Sequence, residues 1–140
     1  MGGIAAGTAR KPGSRGIRFL NELLLIAALA AGDPKAGGEL YSRCLACHAM
    51  EYNRVGPKHC GLFGRRAGSL PGFDYSPAMK RSKLVWNENT LERFLADPLK
   101  TVPGTAMTYA GVPDAKERAD LIAYLKRESS AARCGRAAAG

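Results

Sequence analysis

The sequence predicts an all-α fold with long loops. Two segments, 89–92 and 114–117, carry the start signal of a helix, in which a capping residue stands three positions before a polar partner. No segment shows the strict alternation of apolar and polar residues that is typical of a strand. Gly and Pro recur through residues 49–75, which predicts a long irregular segment. A long loop in a small domain usually has a function or encloses a ligand.

Three main helices are expected in chain order. The first covers 34–46, where Pro34 suits the first helical turn. The second starts at the Asn89 capping pattern and ends near Ala96, before the pair Asp97-Pro98. The third runs from Asp114 to about Glu128. Its apolar stripe has helical spacing and consists of Ala119, Leu121, Ile122 and Leu125.

The chain of 140 residues predicts one domain behind a targeting segment. Residues 1–30 resemble a cleaved secretory signal, with a basic stretch, a short apolar run and the small-residue site Ala28-Leu29-Ala30. The apolar run is too short to span a bilayer, which takes about 20 residues. An amphipathic surface helix or an uncleaved anchor is the alternative. We expect an exported, periplasmic domain over 31–128 and a flexible tail over 129–140.

Charge narrows the class of partner. The chain has 21 Lys and Arg residues, 12 Asp and Glu residues and a formal charge of +9. After removal of 1–30, 17 basic and 11 acidic residues leave +6. The basic residues are spread along the chain without interleaved aromatics, which argues against nucleic-acid binding and favours acidic partner surfaces. We expect the protein to be a monomer that meets membranes only through its partners or an uncleaved leader.

Residues 44–48 form the pattern C-x-x-C-H, the attachment site of a c-type haem. The thiols of Cys44 and Cys47 would form thioether bonds to the porphyrin, and His48 would supply an axial imidazole to the iron. A dithiol redox site needs a β-α-β setting that is not predicted here. A zinc site needs a second ligand pair, and the remaining cysteines, Cys60 and Cys134, are far apart.

The second axial ligand decides between electron transfer and an open haem site. The residues leave four candidates: Met50, Met79, Met107 and His59. Met50 is too close to His48 to reach the opposite face, and Met79 is expected to fill a core gap on a short helical turn. A packing or solvent-facing role is expected for His59. Met107 follows Pro103 and Gly104, which predict an extended segment, and is far enough along the chain to cross the haem.

Several ordered blocks make the chain similar to the small class I cytochromes c of bacterial periplasm and mitochondria. The similarity covers about 36–128 and predicts three main helices and long loops wrapped around one covalent haem. It implies Met107 as the second ligand and an electron carrier rather than an enzyme. The blocks are 44–48, Val55-Gly56-Pro57, 61–65, 71–76, Trp86, 103–107 and 118–125.

The resemblance also implies roles for single residues around the haem. Pro57 would accept a hydrogen bond from His48. Tyr75 and Trp86 would bind the propionates, with Arg65 balancing their charge. Further contacts are implied for Phe94, near Met107, and for Thr105. Gly37 would lie where the first and last helices cross, and His59 stands where relatives carry an apolar residue.

The implied function is shuttling of single electrons between respiratory or photosynthetic complexes. Partners of that kind are a cytochrome bc complex, a terminal oxidase or a photosynthetic reaction centre. A haem enzyme or sensor with an open sixth site, and a tethered redox subunit, are the alternatives. A basic rim for acidic partners is expected from Arg43, Lys58, Lys80 and Lys100.

An oxidising compartment also predicts a disulfide between Cys60 and Cys134. This bond would tie the tail to the loop that follows the haem motif.

Overall fold

The structure is a computed structural model that describes residues 2–3 and 31–137. The chain divides into the units 1–30 and 31–140. The predicted signal peptide lies outside the described residues, apart from Gly2 and Gly3. No helix in the described part of the chain is long and apolar enough to cross a membrane.

The all-α prediction is confirmed for residues 31–137, which contain helices and a single isolated bridge but no strand. Three main helices are joined by long loops and accompanied by shorter helical segments. Within residues 31–137 there are six α-helices: α1 (Pro34–Tyr41), α2 (Pro77–Arg81), α3 (Glu88–Ala96), α4 (Pro98–Thr101), α5 (Ala115–Ser129) and α6 (Ala132–Ala137).

The first helix is shorter than predicted and packs against α5. Its α-helical part ends at Tyr41, and a 3-10 turn over Ser42–Cys44 follows. Pro34 occupies the first turn as expected. The helices cross at Gly37, where an added Cβ would lie 2.0 Å from the carbonyl oxygen of Asp120. The predicted choice of Gly37 for the crossing is therefore confirmed, because only a residue without a side chain permits this approach.

The second main helix begins earlier than the capping pattern at Asn89 indicated. Its N-cap is Asn87, whose side chain accepts from the Thr90 N–H, while the Thr90 hydroxyl accepts from the Asn87 N–H. Asn87 is the N-cap in place of Asn89 because Thr90 completes the capping box of Asn87. The helix ends at Ala96 as predicted, and Asp97, its C-cap, also caps the start of the short helix α4, which was not predicted.

The third main helix follows its prediction closely. Asp114 caps it by accepting from the Glu117 N–H at 2.8 Å. Leu121 and Leu125 are buried in the core, with α3 packed beside them.

Part of the segment that is expected to be a flexible tail forms a helix and a covalent bond. Residues 132–137 form α6, and Cys134 is bonded to Cys60. This confirms the predicted disulfide, which spans 74 positions of sequence. The carbonyl of Ser129 also accepts from the Gly61 N–H at 2.9 Å. The end of α5 and the start of α6 are thus both attached to the loop over residues 59–61.

Candidate functional site

A cavity of about 480 Å³ lies between the loops, α2, α3 and α5, with walls that are mostly apolar. The residues that line it run from Arg43, in the 3-10 turn after α1, to Leu125 in α5. All ten residues predicted for the site line this cavity: Cys44, Cys47, His48, Pro57, Arg65, Tyr75, Trp86, Phe94, Thr105 and Met107.

The two cysteines of the C-x-x-C-H pattern stand at the mouth of the cavity on one tight turn. The N–H groups of Cys47 and His48 both donate to the carbonyl of Cys44, at 3.1 and 2.9 Å. Cys44 is half-buried and Cys47 exposed, and neither forms a disulfide. Burial raises the pKa of the Cys44 thiol to about 11, an effect that Arg43 opposes and Cys47 adds to. Because neither cysteine is in a disulfide, both thiols are available for covalent attachment.

The His48 ring is held with one nitrogen occupied and the other free. Its Nδ1 lies 2.8 Å from the carbonyl oxygen of Pro57. Burial lowers the pKa of His48 below 6.5, and the bond to Pro57 opposes this shift only in part. A neutral imidazole that donates Nδ1–H leaves a lone pair on Nε2 for a metal.

Gly56 leaves room for this ring. A Cβ at position 56 would lie 2.3 Å from Cε1 of His48 and 2.7 Å from each ring nitrogen. These distances place the missing Cβ above the face of the imidazole, so that any side chain there would displace the ring.

Met107 reaches the cavity from a turn rather than from the predicted extended segment. The Thr105 N–H donates to the Val102 carbonyl at 3.0 Å, and Gly104 has a φ of +87°. Pro103 followed by a glycine with positive φ is typical of a type II turn, which explains the difference. The Met107 N–H donates to the Thr105 hydroxyl at 3.2 Å. Met79, buried on α2, also lines the cavity, whereas Met50 does not.

Polar groups gather around Arg65 at one part of the cavity. Its guanidinium donates to the carbonyls of Lys58 and Cys60, at 3.0 and 3.1 Å. Its Nε is buried and has no hydrogen-bond partner. Burial raises the pKa of Tyr75, an effect that Arg65 opposes, so its hydroxyl stays a donor at neutral pH. The buried Trp86 ring packs on Phe94 with centroids 5.1 Å apart.

These features fit a haem. A flat apolar cofactor suits the apolar walls, and the unpartnered Arg65 Nε is a donor that a propionate carboxylate would satisfy. The free thiols of Cys44 and Cys47 lie next to His48 at the cavity mouth, as thioether attachment requires.

His59 is a site residue that the sequence did not place in the cavity. The expectation that it faces solvent is wrong, and the alternative of a packing role describes its position. The ring lines the cavity and stacks on His48, with centroids 4.4 Å apart and planes 21° apart. Burial, with smaller effects from His48 and Arg65, lowers its pKa well below 6.5. A signal was available in the neighbouring Cys60, because the disulfide fixes this loop on the inner side of the domain.

No family model matches the chain. It is similar to cytochrome c of Gibberella zeae, with 45% identity over 102 residues, which cover 70% of this chain and 96% of the relative. It is also similar to cytochrome c2 of Blastochloris viridis, with 42% identity over 105 residues, which cover 73% of this chain and 83% of the relative.

Among solved structures, the fold is similar to that of cytochrome cH from Methylobacterium extorquens. The TM-score is 0.67 at 45% identity, and the match covers 69% of this chain and 99% of that one. Motif, cavity and relatives agree: the chain belongs to the class I cytochromes c, a family of electron carriers, and holds one haem c through Cys44 and Cys47.

Proposed function

We propose that the protein is an exported single-electron carrier in which His48 and Met107 are the two axial ligands of the haem iron. The hydrogen bond between His48 Nδ1 and the Pro57 carbonyl carries this proposal, because it orients the imidazole and leaves Nε2 for the metal. The haem supplies a one-electron couple between ferric and ferrous iron.

Met107 is proposed as the second ligand on the basis of its position and its anchoring. Its side chain is half-buried at the cavity, and its backbone is held by the Thr105 hydroxyl, which is itself buried. A thioether held in this way needs little movement when the iron changes oxidation state. Thioether ligation and an apolar pocket both favour the ferrous form and raise the reduction potential.

The side chains around Arg65 are proposed to bind the propionates. The Nε of Arg65 is the donor left without a partner, and Tyr75 keeps a protonated hydroxyl at neutral pH. Trp86 offers an indole N–H from a buried ring at the same cavity. A carboxylate beside these donors would be stabilised in its charged form.

Replacement of Met107 by Leu tests the ligand assignment, because Leu preserves volume and removes the sulfur. We expect the ferric holoprotein to lose the weak far-red absorption band of Met–iron ligation and the ferrous form to bind carbon monoxide rapidly. Met79→Leu is the matched control, since Met79 is also a cavity methionine, and this variant should keep the band. Loss of the band in Met79→Leu and its retention in Met107→Leu would transfer the role to Met79.

The partners are proposed to present acidic surfaces, as a cytochrome bc complex, a terminal oxidase or a photosynthetic reaction centre could. Of the predicted rim, Arg43 pairs with Glu117 and Lys80 with Asp74, each at 3.2 Å. Lys58 and Lys100 make no ion pair within residues 31–137. These two are therefore the stronger rim candidates, because a paired charge is partly neutralised. Association should weaken as salt concentration rises.

Export to the periplasm is proposed from the leader pattern and supported by the disulfide between Cys60 and Cys134, which suits an oxidising compartment. Sequencing the N-terminus of the haem-loaded protein tests this. A start near Ala31 would agree with cleavage after Ala30, and an intact leader would favour an anchored domain.

A further inference from the structure

We propose that His59 is a positioning residue for His48, whose ring packs against the His48 imidazole and fixes the plane in which Nε2 is presented to the iron. This inference rests on the proposed role of His48 as a ligand and adds a residue to that site.

The contact between the two rings has the geometry needed to restrain an orientation. The centroids lie 4.4 Å apart and the planes differ by 21°, so the faces are nearly parallel. The bond from His48 Nδ1 to Pro57 fixes one edge of the imidazole but resists tilting about that edge only weakly. A flat ring against the face of His48 opposes that tilt by van der Waals contact.

The side chain of His59 is anchored through one of its ring nitrogens. The hydroxyl of Tyr41 lies 3.0 Å from Nδ1 of His59. Burial raises the pKa of Tyr41 above its ordinary value, with smaller effects from neighbouring charges, so the hydroxyl stays protonated and can donate to Nδ1. Tyr41 is itself fixed, because its ring is buried against Tyr124 with centroids 5.1 Å apart. The His59 ring is thus tied to the packing of α1 against α5.

The backbone on both sides of His59 is anchored as well. The guanidinium of Arg65 binds the carbonyls of Lys58 and Cys60, which flank His59. The N–H of His59 donates to the Ala49 carbonyl at 3.1 Å.

Cys60, the next residue, is held even more firmly. Its N–H donates to the Met50 carbonyl at 2.7 Å, and its sulfur is bonded to Cys134. Anchors on the side chain, on the backbone and through a covalent bond thus converge on one ring, which is more than filling space requires.

The test compares four variants of the ferric holoprotein by NMR of the haem methyl resonances, whose order depends on the plane of the axial imidazole. His59→Leu removes the ring, and His59→Phe restores a flat ring without the nitrogens. Tyr41→Phe removes only the hydroxyl that holds His59. Tyr124→Phe is the matched control, because its ring touches Tyr41 but forms no stacking pair with His59.

We expect His59→Leu to change the order of the methyl resonances and the spread of the electron paramagnetic resonance g values. Tyr41→Phe should cause a smaller change in the same direction. His59→Phe should restore the flat contact but not the hydrogen bond to Tyr41, so it should differ from the wild type no more than Tyr41→Phe does, and Tyr124→Phe should leave the order unaltered. If His59→Leu does not accumulate as holoprotein, the comparison of Tyr41→Phe with Tyr124→Phe decides.

The inference is overturned if His59→Leu keeps the wild-type order, or if His59→Phe changes it as much as His59→Leu does. If His59→Leu cannot be obtained as holoprotein, the inference is overturned when Tyr41→Phe and Tyr124→Phe show the same order of haem methyl resonances. Each of these results leaves the carrier proposal intact when the low-spin His–Met signature persists. A wild-type protein that lacks this signature would instead refute the proposed ligand pair.

Discussion

Removal of the Cys60–Cys134 disulfide is expected to cost about 4 kcal/mol of unfolding free energy. The two cysteines are 74 positions apart, and cross-linking a loop of that length lowers the entropy of the unfolded chain by an amount worth about 4 kcal/mol at 25 °C. The double replacement Cys60→Ala and Cys134→Ala removes the bond without adding polar groups to the core around Cys60.

Urea unfolding followed by the fluorescence of Trp86 measures this loss. Trp86 is the sole tryptophan, is buried at the haem cavity, and should be quenched until the chain unfolds. With a slope of about 1.5 kcal/mol/M, typical of a small domain, a loss of about 4 kcal/mol moves the midpoint down by about 3 M urea.

Two controls separate the cross-link from the local substitutions. The wild-type protein unfolded with a thiol reductant should lose a similar amount, because reduction breaks the disulfide but not the haem thioethers. Ala132→Ser, at an exposed position of α6, should have almost no effect. A double variant that unfolds within about 0.5 kcal/mol of the wild type would refute the entropic reasoning.

Two further predictions concern the crossing of α1 and α5. Gly37→Ala should lower unfolding free energy by about 3 kcal/mol, since its Cβ would lie 2.0 Å from backbone, whereas Gly38→Ala meets only the Tyr124 ring at 3.1 Å and should be nearly neutral in the same urea assay. Burial raises the pKa of Asp120, but hydrogen bonds from Lys116 and the Asp33 N–H lower it more, so the net pKa lies below 3.8. The contribution of charged Asp120 to the free energy of unfolding should therefore be complete above about pH 4 and should be lost as the pH falls further. Asp120→Asn should make the free energy of unfolding depend less on pH in acid. An acid-unfolding midpoint equal to that of the wild type would contradict this.

Local chemistry in the sequence was sufficient to predict much of this molecule. The cap at Asp114 was predicted because its partner Glu117 lies within the same turn. The C-x-x-C-H motif was recognisable because attachment and ligation require neighbouring residues. The predicted start of α3 is too late because Asn87 with Thr90 and Asn89 with Glu92 both fit a capping pattern, and only the fold shows which pair is used.

Features that depend on distant residues were harder to predict. The role of His59 is set by Tyr41, by Arg65 and by the bond of the neighbouring Cys60 to Cys134, and these contacts form only after the chain has folded. Its place in a loop favoured exposure to solvent, because loops usually run over the protein surface. The short helix α4 was also missed. Asp97 both ends α3 and caps α4, and the sequence pattern at Asp97-Pro98 indicates only the end of a helix.

The disulfide and the histidine pair belong to one physical arrangement. Cys60 is bonded to Cys134 of α6, and the preceding residue, His59, stacks on the proposed ligand His48. An apolar residue at position 59 could fill the same space, but it could not form the hydrogen bond with the Tyr41 hydroxyl that ties the ring to α1. The Cys60–Cys134 disulfide and His59 are therefore better understood together, as a set of restraints on one loop, than as separate features.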